Sequence, residues 1–201
     1  MTRRKTDDDN LSKKLALRMF AVDALLARGE NEVRVLDCFA GDGALWRLLT
    51  REYGPRIKHV GIDKAWKRGA MYLGDNRRYL RCLPIGDYNL IDVDAYGVPY
   101  QQMKIIASRQ YRGVVVGTFI QSMYGGLPYA MLRDLGYSRR MVRKITKLFF
   151  RNGWLKWSAY LRLLRYEEVH VYHCACANKH YFACFPGSGR CEAAVPSYSP
   201  G

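Results

Sequence analysis

The stretch that most constrains the fold of this chain runs from Val33 to Tyr53. Val33-Arg34-Val35-Leu36-Asp37 is a short run of β-forming residues, and Cys38-Phe39-Ala40-Gly41-Asp42-Gly43 is a turn. Residues 44–53 then return to helical spacing, with Leu45, Leu48 and Leu49 on one side. Strand, glycine turn and helix in this order belong to a parallel βαβ unit. The glycines let the backbone bend tightly and approach a ligand with no Cβ in the way. The free N–H groups of the following helix then face that ligand. The spacing is Asp37-x-Phe39-x-Gly41-x-Gly43, not the dinucleotide fingerprint G-x-G-x-x-G. An acid at the strand end suits a ligand that carries positive charge and repels a pyrophosphate.

The rest of the chain repeats the alternation. Residues 11–28 read as a helix: Leu15, Met19, Val22 and Leu26 recur at helical spacing, and Lys13, Lys14 and Arg18 fall mostly elsewhere on its surface. Beyond the turn come a strand at 57–63, a polar segment, a strand at 88–93, a helix at 99–111 and a strand at 113–119. Strands alternating with helices imply a largely parallel sheet. Residues 132–165 are helical and basic in pattern. Residues 168–177 and 180–185 form an expected antiparallel hairpin about a two-residue turn at Asn178-Lys179.

The 201 residues fit one α/β domain over 11–185, with a flexible N-terminus at 1–10 and a flexible tail at 186–201. A hydrophobic fraction of 49 % supports a packed core rather than disorder. No run of about 18 apolar residues exists, which excludes a transmembrane helix. The first residues lack the apolar core of a secretory signal, so a cytoplasmic protein with no membrane partner is expected.

Two more acids follow at the carboxyl ends of successive elements. His59-Val60-Gly61-Ile62-Asp63 closes the second strand, where an acid commonly accepts hydrogen bonds from ribose hydroxyls. Asp75-Asn76, after Gly74, is a polar pair able to meet an adenine edge. With these three features in order, the sequence resembles the class I S-adenosylmethionine-dependent methyltransferases. The resemblance covers about residues 33–130 and implies a Rossmann-like fold with a mostly parallel seven-stranded sheet. It implies S-adenosylmethionine as cofactor, held by Asp37, Phe39, Gly41 and Gly43 at its amino-acid end. Asp63 would take the ribose, and Asp75 with Asn76 the adenine. Only eleven residues separate Asp63 from Asp75, fewer than a helix and a strand require.

The run Asp92-Val93-Asp94-Ala95-Tyr96-Gly97 lies where an open α/β sheet binds ligands, past the end of a strand. Methylating an exocyclic amine needs an acceptor that orients the nitrogen lone pair and a flat wall that grips the ring. Asp94 and Tyr96 are of the right types. The segment looks like the Asp-Pro-Tyr-Gly or Asp-Pro-Phe-Gly motif of tRNA guanine-2-amino dimethyltransferases, with Ala95 where that motif has proline. The resemblance implies Asp94 and Tyr96 as catalytic residues.

Charge points to the acceptor. The net charge is +15, and residues 133–165 hold ten Lys or Arg against one acid. Arg140, Lys144, Lys147 and Arg151 follow helical spacing, so one face can meet phosphate. Phe149, Phe150, Trp154, Trp157 and Tyr160 are interleaved, at least half of them expected in the core. The expected function is methyl transfer to a nucleic-acid base, RNA ahead of DNA. A protein or small-molecule methyltransferase and a catalytically inactive nucleic-acid-binding protein stay open. His170, His173, Cys174, Cys176, His180 and Cys184 match no common zinc spacing, and no metal is expected.

Overall fold

The computed structural model describes residues 11–65, 68–121, 126–144, 152–173 and 179–187. Seven strands form one sheet: β1 Val33–Asp37, β2 Ile57–Asp63, β3 Tyr72–Leu73, β4 Leu90–Val93, β5 Val114–Ile120, β6 Tyr166–His173 and β7 Lys179–Pro186. Their order is β3-β2-β1-β4-β5-β7-β6. Neighbours from β3 to β5 are parallel, and β7 runs antiparallel to both β5 and β6. The architecture is α/β with a mostly parallel sheet, as the alternating pattern predicts, and has the seven strands that the resemblance implies.

Side chains alternate across each strand, and the two faces carry separate cores. On one face Val33, Val35, Leu90, Val114 and Val116 meet α1 (Leu11–Ala27) and α2 (Ala44–Tyr53) through Leu17, Ala21, Val22, Trp46 and Leu49. On the other, Leu36, Ile91, Val93, Val115 and Phe119 meet α3 (Asn76–Cys82), α4 (Tyr100–Ser108), α5 (Tyr129–Asp134) and a last helix, α7 (Gly153–Leu163). The short α6 (Arg139–Lys144) precedes α7 and buries none of its residues.

Four expectations need correction. The buried face of α1 is Leu17, Arg18, Ala21, Val22 and Leu25, so Arg18 faces inward and not outward. In α2, Trp46 and Leu49 are buried while Leu48 is 39 % exposed. The basic stretch is not continuous helix: α5 ends before Gly136, whose φ of 89° breaks the run, and α6 and α7 follow. In the hairpin His173 pairs with His180, where a turn at 178–179 would pair Ala177 with it. Lys179 is a strand residue opposite Ile120 of β5, because pairing with β5 draws β7 out to that length.

The short gap between Asp63 and Asp75 has a structural basis. Among its described residues there is no helix, and the chain crosses back over the end of β2 and the glycine turn. Gly69 N–H donates to the Gly41 carbonyl and Met71 N–H to the Gly61 carbonyl. The crossing is possible only because three glycines meet there. A Cβ on Gly61 would lie 2.1 Å from the Gly69 oxygen, and one on Gly43 2.9 Å from the Gly69 Cα. The Gly61→Ala variant is therefore expected to lose about 1–3 kcal/mol, the usual cost of forcing an extra methyl into packed space. Urea unfolding against the parent chain measures it.

Candidate active site

The site lies past the carboxyl ends of β1, β4 and β5, on the face that α1 and α2 cover. Strand alternation puts Asp37, Asp92 and Thr118 on that face, each one residue pair beyond an apolar core position. The turn after β1 gives a cavity of about 240 Å³ walled by Asp37, Phe39, Gly41, Gly43, Asp94 and Tyr96. A second cavity, of about 400 Å³, is lined by Lys64, Asp75, Asn76, Arg77 and Gln102. Phe39, Ala95 and Tyr96 belong to both, so the two adjoin as one cleft past the ends of β1 and β4.

Asp37 is only 5 % exposed and accepts the N–H of Phe39 at 3.0 Å. His59 Nε2 stands 3.5 Å from its other oxygen. Gly41 and Gly43 hold φ of 53° and 72°, which a side chain would strain. Asp63 ties the turn to β2: it accepts the N–H groups of Gly41 and Ala65, both at 2.9 Å. Asp75 caps α3 through the Arg77 N–H and is also bonded by the Arg77 side chain, which pulls its pKa down to about 2. The buried Asn76 donates to the Cys38 carbonyl at 2.7 Å and accepts from Gln102 at 3.0 Å.

Beneath the cavity lies a buried ion pair that local sequence patterns do not reveal. Arg18, fully buried, grips Asp92 with two bonds, Nε–Oδ2 at 2.7 Å and Nη2–Oδ1 at 2.8 Å. Trp46 Nε1 donates to the same carboxylate at 2.9 Å. Burial pushes the Asp92 pKa up to about 6, with Arg18 pulling the other way. The only sequence signal is the i, i+4 spacing of Lys14 and Arg18 on a helix whose inward face it breaks.

Asp94 is 22 % exposed. One oxygen is 2.7 Å from Lys14 Nζ, and the other accepts the Thr118 hydroxyl. Burial opposes its charge, but Arg18 and Lys14 outweigh that, and its pKa falls below the ordinary carboxylate value. Tyr96 stands 87 % exposed at the rim. Ala95 N–H donates to Val93 O at 2.6 Å and Gly97 N–H to Ala95 O at 3.1 Å, a tight turn that holds the segment without proline.

The basic residues are less concentrated at the site. Arg140 and Lys144 are exposed on α6, and Lys147 and Arg151 lie outside the described residues. Of the three described rings, Trp157 and Tyr160 are core, and the partly buried Trp154 packs on Phe119. Phe149 and Phe150 lie outside the described residues, as do Cys174 and Cys176. Cys184 is buried, with its thiol 3.4 Å from the Val115 carbonyl.

No protein-family model and no curated protein matches this sequence. Solved structures do match. A SAM dependent methyltransferase from Archaeoglobus fulgidus is 14 % identical with a TM-score of 0.51, over 87 % of this chain and 93 % of that one. Precorrin-6y C5,15-methyltransferase from Geobacter metallireducens GS-15 is 12 % identical with a TM-score of 0.53, over 93 % of each chain. The plantazolicin methyltransferase BamL, solved with a triazolic desmethylPZN analog and SAH, is 8 % identical with a TM-score of 0.52, over 90 % of this chain and 87 % of that one. At these identities the likeness is one of fold.

Removing one member of the buried pair is expected to be severe. The Arg18→Leu variant leaves the Asp92 charge with Trp46 alone and should cost about 3–5 kcal/mol. Adding Asp92→Asn removes that charge and keeps an acceptor for Trp46, and should recover a large part of the loss. Equilibrium urea unfolding of the parent, the single and the double variant decides it.

Proposed function

We propose that this protein is an enzyme that transfers a methyl group from S-adenosylmethionine to an exocyclic amine of a nucleic-acid base. The observation that carries the reading is the buried Asp37 carboxylate on the wall of a cleft built by a glycine turn, with Asp94 and Tyr96 across it. Asp37 offers an acceptor to the cofactor's ammonium group, and Gly41 and Gly43 let the backbone approach. The second cavity, with Asp75 and Asn76 on its wall, suits the adenosine end; Asp63, to which the resemblance gives the ribose, lines neither cavity and accepts the N–H groups of Gly41 and Ala65. The bound cofactor would supply a methyl group activated on a sulfonium.

Methyl transfer is in-line and needs little acid–base help, so positioning supplies most of the catalysis. Asp94 can accept a hydrogen bond from an amine and aim its lone pair. Thr118 and Arg18 fix Asp94 and keep it ionised. The exposed Tyr96 ring gives a base a flat surface to stack on. A chain of net charge +15 suits a polyanion, and Arg140 and Lys144 are exposed cations on α6 that could meet phosphate. RNA is favoured over DNA by the likeness of Asp94-Ala95-Tyr96-Gly97 to the tRNA guanine methyltransferase motif, with Lys147 and Arg151 further candidates for phosphate contact.

Two observations favour a second reading, a nucleic-acid-binding protein without turnover. Both Asp94 oxygens have partners within the chain, and Ala95 replaces the proline of the motif. Calorimetric titration with S-adenosylmethionine, followed by labelled methyl transfer to RNA and DNA pools, separates the two. Binding that Asp37→Ala abolishes, with transfer that Asp94→Ala abolishes while leaving binding intact, is the expected result. Binding without transfer to any nucleic acid supports the second reading, and no binding by the folded chain refutes the cofactor.

A further inference from the structure

Lys14 reaches into the first cavity, where it pairs with Asp94. Its ammonium lies 2.7 Å from Asp94 Oδ2 and 5.8 Å from the centre of the Tyr181 ring, and it lines the same cavity as Asp37 and the glycine turn. The side chain is 20 % exposed, so this is no loose surface pair. Its place is fixed from one helical turn away, where Arg18 is clamped to Asp92 and Leu17 packs on the sheet. A primary amine thus rests on the carboxylate that would orient an acceptor amine.

We propose that Lys14 is itself a methyl acceptor, modified by the chain's own site; this rests on the S-adenosylmethionine reading above. The Lys14 ammonium first gives one proton to water through the open side of the cleft. Asp94 then holds the free amine by one of its remaining N–H groups. The nitrogen lone pair forms the new N–C bond to the methyl carbon as the C–S bond breaks. The electron pair of that bond stays on sulfur, so the sulfonium becomes a neutral thioether and the nitrogen becomes a methylammonium. Charge and atoms balance with no further reagent. The methylammonium keeps N–H groups for Asp94 and its charge for the Tyr181 ring.

The test uses the full chain with methyl-labelled S-adenosylmethionine and no added acceptor, with the label mapped by peptide mass spectrometry. Label is expected at Lys14, at a rate per molecule that dilution leaves unchanged. A binding measurement stands beside it. A cation close to the sulfonium disfavours S-adenosylmethionine but not the neutral S-adenosylhomocysteine. Lys14→Gln is therefore expected to shift the ratio of their affinities toward S-adenosylmethionine by about tenfold, the scale of two unit charges a few ångströms apart. Bound S-adenosylmethionine with no label at Lys14, a rate that falls on dilution, or an unchanged affinity ratio each overturns the proposal while leaving the cofactor reading intact. If neither compound binds, both fall together.

Discussion

A buried arginine on a buried aspartate organises this protein. Asp92 sits on β4 among apolar neighbours, where an isolated charge would cost far more than the chain could sustain. Arg18 meets it with two bonds, and Trp46 adds a third. Those three residues come from β4, α1 and α2, so one carboxylate fixes how both helices of that face lie on the sheet. Such pairs rarely add net stability over an apolar core, but they penalise any packing that separates the partners. Here the penalty falls on any arrangement that moves α1 from the end of β4.

The consequence is felt in the cleft above. With α1 held, Lys14 and Arg18 come to Asp94 from the side, and Thr118 reaches it from β5. Asp94 stays charged because of them. The chain as a whole is strongly basic, yet the cleft is walled by Asp37, Asp42, Asp92 and Asp94. Lys14 and Lys179 share that wall, and Asp92 is paired with Arg18 beneath it.

The glycine turn obeys a different constraint, one of space. Gly43, Gly61 and Gly69 meet where the chain between β2 and β3 crosses the turn, and no room is left there for a Cβ. This close approach stands where a βαβ unit would have its helix, none being present among the described residues there, and lets β3 be two residues long. The eleven-residue gap that stands out in the sequence is thus accommodated by three residues with no side chain.

Much of this was legible in the sequence because it is local. The β1 turn and α2, with Asp37, Gly41 and Gly43, depend on residues within about one strand and one helix of each other, where periodicity and turn chemistry act directly. The alternation of strands and helices fixed a mostly parallel sheet for the same reason. What the tertiary structure decided lies between residues far apart in the chain. Arg18 and Asp92 are separated by 74 positions, and Lys14 and Asp94 by 80. A lysine and an arginine at helical spacing read as a solvated face; only docking on the sheet turns that face inward, onto acids whose desolvation demands a partner. The hairpin register went the same way, since pairing with β5, not the turn residues, determined where β7 begins. Local rules report what each segment prefers, and burying charge is a property of what two segments share.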